Sequence, residues 1–117
     1  MKNTICYIET EKGTYPMVFN LNVMEEIQDK YGSMEKWSEA VQGRGEPNVR
    51  GLKDGIMIMV NEAIDIHNEE TPDDKIPFVT GKQIGRIISE VGIGKITDKI
   101  KEITIKSTDT GEEQKNA

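Results

Sequence analysis

The chain has 117 residues, of which 35% are hydrophobic, 31% charged and 5% aromatic, and 15 Lys+Arg against 21 Asp+Glu leave a net charge of -6. That length makes one domain whose core must be aliphatic, able to bury roughly two-thirds of its unfolded surface. A single Cys6 and a single His67 exclude a disulfide framework, a thiolate zinc site and most histidine metal centres, and the acidic balance counts against phosphate backbones as partners.

Residues 4 to 20 read as a β-hairpin. Ile5 and Tyr7, then Tyr15, Met17 and Phe19, alternate with other residues across Glu11-Lys12-Gly13-Thr14. Pro16 lacks a backbone donor, so it belongs at the strand's start or with its nitrogen turned away from the ladder. Asn20 or Asn22 can cap a helix running to about Tyr31, with Val23, Met24 and Ile27 on one side and Gly32 at its end.

Ser33 is a good cap for a second, short helix, in which Met34, Trp37, Ala40 and Val41 share a face. The stretch Gly43-Arg44-Gly45-Glu46-Pro47 then reads as a mobile connection. After it Asn48 can cap the longest helix, Val49 to Asn68, with Val49, Leu52, Ile56, Met59, Val60 and Ala63 as its buried stripe. Gly51 and Gly55 weaken that helix by about 1 kcal/mol each relative to Ala unless close packing or motion uses them.

Asn68 to Lys75 reads as a solvated loop around Pro72, closed by Pro77. Thr80 caps a helix in which Ile84, Ile87, Ile88 and Val91 recur at helical spacing until Gly92 and Gly94 interrupt it. A last helix carries a narrow stripe of Ile96, Ile100 and Ile103 beside Lys95, Lys99, Lys101 and Lys106. Ser107 to Ala117 holds no apolar residue but the final Ala and is expected to be disordered. The expected fold is therefore α+β, mainly α, with an N-terminal β-hairpin packed on four to five helices; residues 1–106 form the domain and 107–117 the tail.

Chemistry finds little purchase in this pattern. His67 suits a helix C-terminus, Cys6 suits buried packing, and no base, nucleophile and metal set converges, so neither an enzyme nor a cofactor or metal is expected. Gly92-Ile93-Gly94-Lys95 fails as a phosphate loop, because Ser89 stands where the upstream Gly is required and Ile96 where Ser or Thr is required. Asp73-Asp74 lacks the alternating ligands and central Gly of a calcium loop. With no apolar stretch of membrane-spanning length and no signal-peptide pattern, a cytoplasmic protein in a reducing compartment is expected.

Charge is unevenly distributed. Residues 1 to 79 carry a net of -7, residues 80 to 106 a net of +3 and the remaining residues -2. The basic end either folds back on the acidic body or docks on a partner through its Ile stripe. On periodicity alone Ile84, Ile88, Ile96, Ile100 and Ile103 are the candidate partner-binding residues. Replacing Ile96 and Ile100 by Asp is then expected to abolish partner co-purification and leave the circular dichroism helical.

From Tyr15 to Trp37, YPMVFNLNVMEEIQDKYGSMEKW, the sequence resembles the small tail assembly chaperones of siphophages and prophages of Gram-positive bacteria. GLKDGIMIMVNEAIDIHNEE and VTGKQIGRIISEVGIGKITDKI keep the same order and character, so the likeness covers about residues 12 to 103. What the resemblance implies is a non-enzymatic protein of the host cytoplasm that binds the long, helical, aggregation-prone tape-measure protein and keeps it soluble until tail-tube protein assembles around it. Family members are often made in a short and a frameshift-extended form, and Gln114-Lys115-Asn116 permits the slippery codons CAA AAA AAC among others. A homo-oligomer is a further expected partner state. The alternative role is a small structural or connector protein retained in the tail. A nucleic-acid regulator using residues 82 to 106 is disfavoured by net charge and by the absence of a recognition-helix pattern.

Overall fold

The computed structural model describes the backbone of residues 4–42, 45–46 and 48–116, and side chains as far as Ser107. Among these residues the order is β1 (Thr4–Thr10), β2 (Gly13–Phe19), α1 (Leu21–Tyr31), α2 (Met34–Gln42), α3 (Val49–Glu70), α4 (Gly81–Val91) and α5 (Ile93–Asn116). The fold is α+β and mainly α, with an N-terminal antiparallel hairpin packed against five helices.

Glu11 and Lys12 make the hairpin turn, and the strands pair from Thr4↔Phe19 to Thr10↔Gly13. Gly13 takes a φ of 145°, which strains any residue with a β-carbon. The Thr10 hydroxyl donates to the Gly13 carbonyl at 2.8 Å and accepts from the Lys12 amide at 3.2 Å. Counting back from the closing pair, strand alternation makes Tyr7↔Pro16 a non-hydrogen-bonded pair, so the proline nitrogen points out of the ladder as expected.

Caps set the helix starts. The side chains of Asn20, Ser33 and Asn48 accept from the amides of Val23, Lys36 and Gly51 at 3.1, 3.0 and 2.9 Å. At α4, Thr80 and Gln83 form a reciprocal capping box. Gly32 and Gly92, with φ of 93° and 103°, end α1 and α4. Only Gly92 separates α4 from α5, so the chain turns there in a single residue.

The long α3 is the centre of the molecule. Strand β2 lies mainly on it, α1, α2 and α4 also pack against it, and α4 and α5 cover β1. One continuous core cluster runs from Cys6 and Ile8 through Leu52, Ile56, Met59 and Val60 to Ile96, Ile100 and Ile103. The loop from Thr71 to Thr80 is tied to α3 by two asparagines. Asn61 donates to the Val79 carbonyl at 3.1 Å and accepts from its amide at 2.8 Å, while Asn68 brackets Ile76 at 3.0 and 2.9 Å.

Three expectations need correction. Val49 faces outward at the first position of α3, 54% exposed, whereas Gly51 and Leu52 just after it are already buried. At the other end α5 continues through Asn116, past the predicted boundary at residue 106, and Ser107 is helical and fully buried. No proline interrupts Ser107 to Asn116, and Glu112, Glu113, Gln114 and Lys115 are good helix formers. The third concerns the isoleucines, treated below. Of the connection before α3, Gly43, Arg44 and Pro47 lie outside the described residues.

Candidate interaction surface

The titratable groups on the hairpin side are arranged for packing. Cys6 is buried, with its Sγ 3.9 Å from Glu102 Oε2. Burial first, and the Glu102 charge second, push its thiol up, which is the reverse of an activated nucleophile. Glu102 accepts from Lys106 at 2.9 Å, and that bond and charge hold its carboxyl below the usual range. His67, in the last turn of α3, places Nε2 2.8 Å from the Asp74 carbonyl oxygen and 3.7 Å from its carboxylate, so it binds the loop to the helix end. Among the described residues no group of three or more His, Cys, Asp and Glu is placed to hold a metal ion. No helix there is long and apolar enough to cross a membrane.

The five isoleucines chosen from periodicity are brought together, but in the interior. Ile84, Ile96 and Ile103 are fully buried, and Ile88 and Ile100 nearly so. The narrow stripe of α5 packs on β1, β2 and α4, and none of its three isoleucines is more than 1% exposed. A helix with few apolar residues looks partner-seeking in one dimension; here three isoleucines suffice because the hairpin they meet is itself well packed. The Ile96→Asp and Ile100→Asp pair would therefore break the fold rather than report on binding.

What the surface offers instead is a set of open grooves between helices. One lies between α2 and α5, lined by Met34, Trp37, Ile100 and Ile105, with a volume of about 310 Å³. A second, of about 380 Å³, runs between the first turns of α3 and the α4–α5 joint, with Val49, Leu52, Ile88 and Ile93 as its apolar lining and Gly85 and Gly92 as its low points. Val49 is 54% and Ile93 40% exposed there. Beside it a third cavity, bounded by Lys30, Arg50, Lys53 and Asp54, continues along α3.

Sequence reasoning missed this second groove because Val49 fits the buried stripe by spacing. The available signal was the pair Gly85 and Ser89, small residues four apart on the polar side of α4, next to Lys82 and Arg86.

No protein-family model, curated protein or solved structure matches the chain.

Proposed function

We propose that the protein is a tail assembly chaperone that binds the tape-measure protein in the host cytoplasm and keeps it soluble during tail morphogenesis. The observation that carries the reading is the pairing of exposed apolar grooves with a highly charged exterior, on a chain whose segments from 12 to 103 resemble that family. A carrier for an aggregation-prone amphipathic helix needs shallow apolar seats that release their client, and a net charge that keeps the loaded complex dispersed. Grooves open to solvent between helices supply the seats. The excess of Asp+Glu supplies the charge.

Under this reading tail-tube protein displaces the chaperone, and any frameshift-extended form would begin from the end of α5. Co-expression with the tape-measure protein from the same genome tests it. The client should move from the pellet to the soluble fraction and co-purify with this chain, and mass spectrometry of purified virions should find none of the chain. Stoichiometric retention in virions would instead establish the structural or connector role.

A further inference from the structure

We infer that the groove between the first turns of α3 and the α4–α5 joint is the seat of an acidic amphipathic helix of a partner protein. The inference rests on the chaperone reading for the helical form of the occupant; its charge and position come from the groove itself.

The floor is apolar, with Val49 and Ile93 half exposed on either side. The rim is cationic. Lys53 lines the groove and Arg50 and Lys30 line the adjoining cavity. On α4, Lys82 and Arg86 are exposed on the helical face that includes Gly85 and Ser89, which line the groove. Among the described residues the one carboxylate bounding the pair of cavities, Asp54, accepts from the Tyr31 hydroxyl at 2.7 Å and lies 3.9 Å from Lys30. In a chain of net charge -6 this concentration of cations around an apolar slot is a local inversion of the molecular field.

An occupant must present aliphatic side chains flanked by carboxylates. Gly85 leaves room for it: a β-carbon there would meet only the tip of Lys53, at 3.5 Å. Nucleic acid satisfies the rim but not the floor, since among the described residues the groove lining has no aromatic ring for a base to stack on. A second copy in a two-fold dimer would set this patch against itself, cation on cation.

The test is fluorescence anisotropy of the full chain with a labelled synthetic peptide of about 18 residues, long enough to form an isolated helix. The peptide carries Leu at one helical face and Glu elsewhere; a second peptide has Lys for Glu, and a third probe is a labelled single-stranded oligonucleotide. The Glu peptide should bind more tightly than either control, and more weakly as salt rises. Lys53→Glu combined with Arg86→Glu should weaken it at least about tenfold, and Gly85→Leu, which fills the groove from the solvent side, should do the same.

Both variants are checked for wild-type circular dichroism, and the charge pair alone decides if Gly85→Leu fails to fold. Equal binding by wild type and the charge variant, preference for the Lys peptide, or tighter binding of the oligonucleotide overturns the proposal. So does a concentration-dependent dimer that Gly85→Leu abolishes. If the tape-measure protein co-purifies with wild type and charge variant alike, this groove is wrong and the chaperone reading stands. If it co-purifies with neither, the functional reading fails, and peptide binding still judges the groove.

Discussion

The indole of Trp37 lies directly against the backbone of Gly55, so closely that a β-carbon at position 55 would overlap ring atom Cζ2 and come within 2.8 Å of Cε2. The ring is held there by its Nε1–H, which donates to the Gly51 carbonyl one turn earlier at 2.9 Å, a buried bond. Helix α2 thus lies on α3 at the two glycines that weaken the longest helix. The helix-propensity cost of Gly55 is offset by close packing of the chain's single tryptophan.

The same substitution should accordingly have opposite effects at two helical glycines. Gly55→Ala should destabilise by about 1–3 kcal/mol through overpacking, although propensity alone favours Ala. Gly85→Ala should stabilise by roughly 0.5–1 kcal/mol, because its β-carbon meets only a flexible lysine tip. Urea denaturation of the two variants checks the signs.

Tyr31 donates to Asp54 across the α1–α3 contact, and burial first, then that bond and the carboxylate's charge, push its phenol up to about 12. The folded value lies above the unfolded one, so the phenol's contribution to stability is complete below the ordinary value near 10 and is lost as pH rises through the folded value. Tyr31→Phe should cost about 1 to 2 kcal/mol at neutral pH and flatten the alkaline fall in thermal midpoint. Ultraviolet titration of wild type against Tyr31→Phe should show that the phenol lost in the variant ionises well above the ordinary tyrosine value.

Asn61→Ala removes both bonds that hold the Val79 backbone to α3. With Val79 buried, the loss should be about 1–3 kcal/mol. Hydrogen exchange at the Val79 amide should accelerate more than at amides in the middle of α3.

The Cys6 thiol, buried and raised in pKa, should react with iodoacetamide far more slowly in the native protein than in denaturant. Mass spectrometry of timed samples measures this. Native labelling at the unfolded rate would mean that β1 detaches from α5.

Charge at Ile96 or Ile100 tests the corrected placement of the last helix. Ile100→Asp places a carboxylate in the aliphatic core, where no cation is buried among the described residues, at a cost of several kcal/mol. The expected result is loss of the cooperative thermal transition. Retention of a native melt would return these isoleucines to the surface.

Local structure was legible because its causes are local. Asn20, Ser33, Asn48 and Thr80 cap by contacts within three residues, Gly32 and Gly92 stop helices by their own φ, and the hairpin follows from alternation around one turn. Periodicity also found the stripe of α3 from Leu52 to Ala63 and the apolar faces of α4 and α5.

Periodicity ranks residues by face, not by what covers the face. The sequence by itself therefore determined that Ile96, Ile100 and Ile103 form a stripe, and only the tertiary structure decided that β1, β2 and α4 bury it while Val49, on a stripe of the same spacing, is left exposed. The cations followed the same division. Lys53 and the face of α4 that carries Gly85, Ser89 and Arg86 are far apart in the chain and meet only because α3 and α4 pack side by side, and such a juxtaposition depends on long-range contacts that no window of residues contains.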